Sequence, residues 1–418
     1  MNEDVLVRFE GATFDSRLVK PGMIYVALQG ERADGHDFVA QALASGAALA
    51  LVRSDWRCPQ GVDEAQLVRV EDPRAGFGEL ARIYRRTLRA KVVGVTGSAG
   101  KTTVKELTAA FLRAGGFKVH ATAGNFNNDL GLPLTVLNCP PDADFLVVEM
   151  GTNHPGEIAY LTNIASPDVG VISSIGTAHI EFFVTQDGIA DEKGVLFARL
   201  PSDGFAVLAR ENDRYDRLAA KSSAPVVTVS FADAQAESFA EALKVRLPGR
   251  HNVLNALVAF GCANRFGVPL ESCLEALKGF SLPGGRWRVV ERNGVTFVDD
   301  TYNANPTSMI AALETFAALP CDGRRIAVLG DMFELGGKSS EMHSEVGRKA
   351  HSLALDMIIT VGPLAGDGIC GDMACNNAEE ARIALSGLLR PGDNVLLKAS
   401  HGVHLDQILQ QETVRDCG

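Results

Sequence analysis

Residues 91–105, with the sequence KVVGVTGSAGKTTVK, constrain the fold of this chain more than any other stretch. Valines at positions 92, 93 and 95 predict a short buried strand, and a helical pattern of apolar residues begins at Lys101. A strand, a glycine loop and a helix N-terminus form a site for a phosphate, where the lysine adds a charge and the next threonine offers a hydroxyl to Mg²⁺. A tight strand-to-helix turn is the structural alternative, but it does not require Lys-Thr at the start of the helix.

The spacing of this loop departs by one residue from the common GxxxxGK[ST] pattern. Val95 occupies the place of the first glycine of that pattern, and Gly94 precedes it. The nucleotide-binding residues predicted in this loop are Thr96, Gly97, Ser98, Ala99, Gly100, Lys101, Thr102 and Thr103.

The size and composition of the chain indicate a soluble, multidomain, cytoplasmic protein. A length of 418 residues suggests two to three domains, and eight scattered cysteines without a CxxC pair indicate reduced thiols. The net charge of −11 argues against a nucleic-acid partner. The acidic N-terminus lacks the basic segment of a signal peptide, and the richest apolar run, residues 40–52, is too short to cross a bilayer. We therefore expect no membrane insertion.

Alternating strand and helix patterns along the whole chain predict an α/β fold with mostly parallel sheets. The N-terminal part has predicted strands at 23–28, 47–52 and 67–70, a helix at 37–44 capped by Asp37, and a helix at 73–86. The domains are predicted to span residues 1–88, 89–285 and 286–418, with residues 283–285 (PGG) as a hinge before the third domain.

Polar residues follow two further predicted strands. Strand 145–148 is followed by Glu149, and strand 169–173 leads to His179. Because ligands bind at the carboxyl ends of parallel strands, we expect both side chains near the glycine loop, with Thr102 and Glu149 as the first ligands of Mg²⁺.

Two other polar segments suggest no special chemistry by themselves. Lys193 lies on a predicted helix over residues 188–200, and its position alone indicates an exposed helix lysine. Residues 15–17 (DSR) could bind a nucleotide-sugar phosphate, but their composition alone favours a surface turn.

Five stretches stand out together: residues 96–102 (TGSAGKT), 124–133 (GNFNNDLGLP), 149–158 (EMGTNHPGEI), 299–306 (DDTYNANP) and 329–336 (LGDMFELG). In this order they resemble the motifs of the Mur ligases, ATP-dependent amide-bond-forming enzymes of peptidoglycan assembly. The family implies an α/β fold of three domains. A central phosphate-loop domain with a mostly parallel sheet lies between an N-terminal domain that binds the UDP-sugar-peptide and a C-terminal Rossmann-like domain that completes the ATP and amine-substrate site.

The resemblance also implies an activity. The last three motifs are typical of the member that joins D-alanyl-D-alanine to UDP-N-acetylmuramoyl-tripeptide in the final cytoplasmic step of precursor synthesis. The chain lacks the DNPR stretch of the preceding enzyme, which favours the dipeptide-adding step. The implied reaction uses ATP and Mg²⁺ and passes through an acyl phosphate on the tripeptide. We expect a monomer.

Individual roles follow from the same resemblance. Lys193 matches a lysine that reacts with CO₂ to give a carbamate, whose anionic oxygens can bind Mg²⁺ where an ammonium would repel it. The implied catalytic residues are Lys101, His179, Lys193 and Arg286, and the implied metal ligands are Thr102, Glu149, His179 and the Lys193 carbamate. Residues implied in ATP binding beyond the loop are Asn252, Asn255, Asp300 and Tyr302. Substrate contacts are implied for Asp15, Ser16, Arg17, Asn125, Asn127 and Asn128.

Two other functions stay open at the level of sequence. A folylpolyglutamate synthase-like ligase would share the loop and the lysine, but its first domain would lack a uridine-nucleotide site. A nucleotide-driven switch or motor would form no amide, and a GTPase switch would carry an Asn-Lys-x-Asp motif that this chain lacks.

Overall fold

The computed structural model describes residues 9–31, 33–177, 180–244 and 247–410 of the chain. Their strands form one sheet of four strands and two sheets of six, each in a separate α/β unit. The α/β class with three domains is therefore confirmed, whereas the predicted boundaries after residues 88 and 285 stay predictions. No helix among the described residues is long and apolar enough to cross a membrane.

The first unit is a parallel sheet with two helices. In spatial order its strands are β1 (Ala12–Thr13), β2 (Ile24–Val26), β3 (Leu49–Arg53) and β4 (Leu67–Val70), and its helices are α1 (Val39–Ala44) and α2 (Pro73–Arg85). The prediction that Asp37 caps the first helix is wrong. Asp34 instead accepts from the N–H of His36 and begins a 3₁₀ turn, Gly35–Phe38, ahead of α1.

The second unit carries the glycine loop on a parallel sheet of order β10-β9-β8-β5-β7-β6. Its strands are β5 (Lys91–Thr96), β6 (Val119–Ala121), β7 (Phe145–Glu149), β8 (Val169–Ile172), β9 (Phe205–Ala209) and β10 (Val226–Val229). Its helices are α3 (Lys101–Ala114), α4 (Gly131–Leu137), α5 (Glu157–Ala165), α6 (Ile180–Phe183), α7 (Gln186–Ala198), α8 (Tyr215–Lys221), α9 (Gln235–Leu243), α10 (Arg250–Asn264) and α11 (Leu270–Lys278).

The third unit has the order β11-β12-β16-β13-β14-β15, and only its edge pair β11–β12 is antiparallel among the described strands. The strands are β11 (Arg288–Arg292), β12 (Val295–Asp299), β13 (Arg325–Gly330), β14 (Met357–Val361), β15 (Met373–Cys375) and β16 (Asn394–Lys398). The helices are α12 (Pro306–Ala317), α13 (Ser339–His351), α14 (Pro363–Ile369), α15 (Ala378–Leu388) and α16 (Gln407–Gln410).

The position of β5 determines where a ligand can bind. It lies between β8 and β7, and Val95 is in register with both Glu149 and Val171. The residues of these three strands are buried apart from Lys91 at the start of β5, as expected for a parallel sheet covered on both faces. The loops that follow β5, β7 and β8 therefore open at one edge of the sheet.

The second and third units meet at this edge. One continuous hydrophobic cluster extends from the first sheet through the central sheet to Met309 and Leu313 in α12. At the start of α12, Thr307 lies so close to Gly176 that a Cβ atom on the glycine would be 2.8 Å from its Oγ1. The beginning of α12 therefore faces the glycine loop across a cleft.

Candidate active site

The loop between β5 and α3 depends on two glycines. Gly97 and Gly100 have φ angles of +151° and +80°. A Cβ atom on Gly100 would lie 2.6 Å from Asn255 Oδ1, and one on Gly97 would overlap the hydroxyl of Ser173. Both positions require glycine because α10 and the end of β8 approach the loop backbone this closely.

Hydrogen bonds to the residues after β8 hold the loop. The N–H groups of Ser98 and Ala99 donate to the carbonyl oxygen and the hydroxyl of Ser174, over 2.8 and 3.0 Å. The Ser173 hydroxyl donates to the Ala99 carbonyl oxygen over 2.6 Å. The loop is thus fixed against the sheet edge before any ligand binds.

Lys101 begins α3, and its side chain turns back onto the loop. Its Nζ donates to the carbonyl oxygen of Gly97 over 2.9 Å. Burial lowers the pKa of Lys101, the charge of Glu149 opposes this shift, and Arg286 adds to it. The ammonium and the positive end of α3 together make the loop attractive to a phosphate.

Glu149 places a buried carboxylate at the end of β7. It is 2 % exposed. Its Oε2 accepts from Thr102 Oγ1 and its Oε1 accepts from Asn127 Nδ2, each over 2.8 Å. These hydroxyl and amide donors orient the carboxylate but carry no positive charge, so a cation beside it would be stabilised.

Two residues behind Glu149 fix its backbone, and sequence reasoning missed both. The Glu149 N–H donates to Thr122 Oγ1 over 3.0 Å, and Lys105 Nζ donates to the Thr122 carbonyl oxygen over 2.6 Å. Lys105 is fully buried in α3 and also forms an ion pair with Glu106. No spacing rule connects three residues so far apart in the chain.

Lys193 is buried in α7, and the interpretation of its position alone as an exposed helix lysine is wrong. Its side chain is 1 % exposed, and its Nζ has no hydrogen-bond partner in the described part of the chain. Burial lowers the pKa of Lys193 well below its ordinary value, and the charge of Lys101 acts in the same direction. Both effects favour the neutral form of this buried amine. His179, the other predicted metal ligand of this region, lies outside the described residues.

The opposite wall comes from α10. Asn255 Nδ2 donates to Asn252 Oδ1 over 3.2 Å, and Asn252 Nδ2 donates to the Pro248 carbonyl oxygen over 2.9 Å. His251 lies beside them, and burial lowers its pKa to about 4. At neutral pH this wall is therefore polar and uncharged.

The third unit contributes charged and aromatic groups. The guanidinium carbon of Arg286 lies 3.5 Å from the centre of the Tyr302 ring. Asp300 accepts from Lys398 Nζ over 2.6 Å and from the Trp287 N–H over 3.3 Å. Sequence reasoning missed Lys398 as a site residue, although its position at the end of β16, beside β12, is the signal that could have found it.

These groups surround a cavity of about 640 Å³. The predicted site residues that line it are Ser98, Ala99, Gly100, Lys101, Thr102, Thr103, Asn125, Asn127, Asn128, Glu149, Asn252, Asn255, Arg286, Asp300 and Tyr302. Thr96, Gly97 and Lys193 do not line it, and the Thr96 hydroxyl donates to the Met150 carbonyl oxygen. Arg74 of α2 reaches the cavity too, so all three units contribute.

The segment Asp15, Ser16 and Arg17 does not line this cavity. Asp15 caps a 3₁₀ turn, Ser16–Leu18, and pairs with the Arg17 guanidinium over 2.7 Å. The hydrogen bond from Arg17 lowers the pKa of Asp15 to about 2. The Arg17 side chain is 83 % exposed, which leaves it accessible to a ligand on the first unit.

The fold and the cavity define a phosphate-loop protein in which three α/β units surround one site. Three family models match the chain in order: "Mur ligase family, catalytic domain" over residues 8–85, "Mur ligase middle domain" over 95–263, and "Mur ligase, glutamate ligase domain" over 285–401. The chain belongs to the Mur ligase family.

Individual relatives are similar over nearly the whole chain. UDP-N-acetylmuramoyl-tripeptide–D-alanyl-D-alanine ligase of Escherichia coli is 34 % identical, over 97 % of this chain and 94 % of the relative. The crystal structure of MurF from Acinetobacter baumannii is 30 % identical with a TM-score of 0.83, covering 96 % and 92 % of the two chains. The structure of MurF ligase from Thermotoga maritima in complex with ADP is 29 % identical with a TM-score of 0.82, covering 98 % of both chains.

Proposed function

We propose that this chain is an ATP-dependent ligase that joins D-alanyl-D-alanine to UDP-N-acetylmuramoyl-tripeptide. Relatives named for this activity match the chain over nearly its whole length, and one related structure contains ADP. The observation that carries the proposal is that Lys101, at the glycine loop, interacts electrostatically with both the Glu149 carboxylate and the buried Lys193 amine. A folylpolyglutamate synthase-like ligase or a nucleotide switch is not favoured by these relatives.

The proposed reaction has two chemical steps. A carboxylate oxygen of the tripeptide attacks the γ-phosphorus of ATP, and the bond to the β-phosphate oxygen breaks, giving an acyl phosphate and ADP. The dipeptide amine then attacks the acyl carbon, loses a proton, and expels inorganic phosphate. In this scheme Lys101 and Arg286 stabilise the charge on the phosphoryl oxygens, and the glycine loop holds the nucleotide.

The residues present fit a Mg²⁺ ion. Thr102 Oγ1 and Glu149 Oε2 are hard oxygen atoms that lie 2.8 Å apart. The ion would offset the repulsion between the phosphates and the attacking carboxylate. His179, as a second-metal ligand, is part of this proposal.

We propose that Lys193 is carbamylated. Only a neutral amine adds to CO₂, and the lowered pKa of Lys193 supports a neutral amine at neutral pH. Addition forms an N–C bond and releases a proton, so an unpartnered Nζ becomes an anion with two oxygens. The carbamate would carry a charge opposite to that of the Lys101 ammonium, whose charge acts on Lys193, and would supply oxygen ligands of the kind that Mg²⁺ takes.

The remaining assignments are proposals of the same kind. The exposed Arg17, with Asp15 and Ser16, is assigned to the uridine nucleotide. Asn125, Asn127 and Asn128 are assigned to the tripeptide end. Asn252, Asn255, Asp300 and Tyr302 would receive the adenosine. The enzyme would act as a cytoplasmic monomer.

An ADP-release assay tests the function. We expect release to require UDP-N-acetylmuramoyl-tripeptide and D-alanyl-D-alanine together, with lysine and diaminopimelate tripeptides compared and glycyl-glycine as the alternative amine. Release driven by a pteroate substrate and glutamate would instead indicate the folate ligase. Hydrolysis of ATP without any amine would indicate a switch.

A further inference from the structure

One proton of the proposed reaction still lacks an acceptor. The dipeptide amine loses a first proton to water to become a nucleophile, and it must lose a second one as its bond to the acyl carbon forms. The group that takes this second proton must line the cavity of about 640 Å³, because the acyl phosphate forms there beside Lys101. A carboxylate or an imidazole is the usual acceptor of such a proton near neutral pH.

Six described side chains that line this cavity are carboxylates or imidazoles: Asp129, Glu149, His154, Glu157, His251 and Asp300. Asp129 and Asp300 each pair with a basic side chain. Glu149 accepts two hydrogen bonds and is assigned to the metal ion. His251 is a weak base, because burial lowers its pKa to about 4. His154 and Glu157 remain, and no role assigned so far uses either of them.

His154 and Glu157 face each other in the loop that joins β7 to α5. Glu157 Oε2 accepts from the N–H groups of Asn153 and His154 over 2.6 and 3.0 Å, and its Oε1 lies 3.4 Å from His154 Nδ1. Burial raises the pKa of Glu157, but these hydrogen bonds outweigh burial and hold the pKa below its ordinary value. Because a carboxylate only accepts, the facing Nδ1 carries the proton, and the ring keeps its lone pair on Nε2.

The surroundings of His154 leave this lone pair available to a ligand. The His154 ring packs against Phe182 of α6 with ring centroids 4.5 Å apart, and its side chain stays 59 % exposed. Its Nε2 has no hydrogen-bond partner in the described part of the chain. The charges of Glu157 and Lys101 both affect the pKa of Lys193, so the His154–Glu157 pair lies on the phosphate-loop side of the cavity.

We propose that His154 is the general base of the amide-forming step and that Glu157 is its positioning residue. As the amine nitrogen bonds to the acyl carbon, the Nε2 lone pair takes one N–H proton. The bond from that carbon to the phosphoryl oxygen then breaks, inorganic phosphate leaves, and the imidazolium releases its proton to water. The Glu157 carboxylate keeps the ring in the required tautomer and stabilises its positive charge. The proposal rests on the proposed ligase function.

A single-turnover experiment separates the two chemical steps. Enzyme in excess over labelled UDP-linked tripeptide is mixed with ATP and D-alanyl-D-alanine, and quenched samples are analysed for ADP and for the amide product. His154→Ala should form ADP at close to the wild-type rate. The amide should form about 10²- to 10⁴-fold more slowly, which is the usual contribution of a general base. The acyl phosphate should therefore accumulate, and borohydride should reduce it to the alcohol.

Three further variants complete the test. His154→Phe keeps an aromatic ring against Phe182 but cannot take a proton, so it should match His154→Ala in both rates. Glu157→Gln removes the charge and keeps an oxygen that accepts N–H groups, so it should slow amide formation less than His154→Ala does. His351→Ala is the control, because His351 Nε2 lies 3.0 Å from the Cys370 carbonyl oxygen and the residue does not line the cavity. This control should keep both rates.

Two results would overturn the role of His154. Amide formation at the wild-type rate in His154→Ala and His154→Phe would assign the proton to water or to the departing phosphate. A slowing of ADP formation as large as that of amide formation would show that His154 only supports the structure of the loop. A wild-type chain that forms no amide with D-alanyl-D-alanine would overturn the proposed function itself, and this result is seen before any variant is made.

Discussion

Replacement of Lys193 by methionine should raise the stability of the fold and lower the activity. Methionine has nearly the same length as lysine but carries no polar atom. The Lys193 amine is 1 % exposed and has no hydrogen-bond partner among the described residues, so the folded chain carries the full penalty of burying it. That penalty is about 1–3 kcal/mol in protein mutational series.

The expected magnitudes follow from this environment. In buffer free of CO₂, Lys193→Met should unfold at a higher denaturant concentration than the wild type, and its free energy of unfolding should be larger by about 1–3 kcal/mol. The same variant should lose about 10²- to 10³-fold in kcat, which is typical for removal of one group that stabilises charge in a transition state. Bicarbonate should stabilise the wild type and leave Lys193→Met unchanged, because a carbamate acts as a bound ligand of the folded state.

The assays are urea unfolding with and without bicarbonate, ADP release, and ¹³C NMR of protein equilibrated with labelled bicarbonate. Lys221→Met is the matched control, because Lys221 Nζ pairs with Asp191 over 3.1 Å beside the same helix. The control should lose stability slightly and keep its turnover. Wild-type turnover in Lys193→Met, or full activity of the wild type without a carbamate signal, would refute this reasoning.

Three further predictions concern the cavity wall. Lys101→Met should lower kcat by about 10³-fold while circular dichroism stays unchanged, because it removes the phosphoryl-stabilising cation without opening the fold. Gly100→Ala should lose about 1–2 kcal/mol of stability from its φ of +80° and should also raise the KM for ATP, because the new Cβ would lie 2.6 Å from Asn255 Oδ1. Gly116→Ala is the control, because Gly116 has a similar φ of +87° but nothing lies within 4 Å of the position of its Cβ. This variant should lose comparable stability and keep the wild-type KM for ATP. Equal KM values for ATP in the two variants would contradict the close contact at Gly100. Burial lowers the pKa of His251 to about 4, so between pH 6.5 and 4 the unfolded chain binds a proton that the folded chain does not. The free energy of unfolding should therefore decrease by up to about 3 kcal/mol as the pH is lowered through this window. Urea midpoints of the wild type and His251→Gln should diverge over that window, and parallel curves would show that His251 titrates normally.

Periodicity predicted the strands that are buried on both faces and also the partly exposed β4 and β10, but it missed an exposed edge strand and two very short strands. The apolar runs of β5, β7 and β8 are visible in the sequence because helices cover both sides of the central sheet. The antiparallel edge strand β11 has the sequence RVVER and is mostly exposed, so no apolar pattern marks it. β6 and β15 have three residues each, too few for any period.

Tertiary contacts decide the start of α1. Asp37 has the right spacing for an N-cap, but His36 is buried, and its Nε2 accepts the Arg53 N–H over 2.9 Å. This bond to β3 holds residues 35–38 in a 3₁₀ turn. A contact between residues 17 positions apart is not readable from local propensity.

The rule that ligands bind at the carboxyl ends of parallel strands predicted part of the site. It placed Glu149 beside the glycine loop, because parallel strands deliver their following residues to one edge. It could not predict the burial of Lys193, since Asp191 and Glu192 give that stretch of α7 a polar appearance. Glu192 is polar for a structural reason: it accepts the N–H groups of Gly156 and Ile158, both over 2.9 Å, and so joins α7 to α5.

The two buried lysines impose a choice of charge on this site. Burial lowers the pKa of both side chains, and the charge of Lys101 lowers the pKa of Lys193 further. Lys101 has a hydrogen-bond acceptor in the Gly97 carbonyl and the opposite charge of Glu149, whereas the described surroundings of the Lys193 Nζ offer it no acceptor. The proton therefore stays on Lys101, which leaves Lys193 as the nucleophilic amine. Conversion of that amine to an anion would turn the repulsion between the two side chains into attraction, so the charge that binds phosphate also favours the modification that completes the proposed metal side.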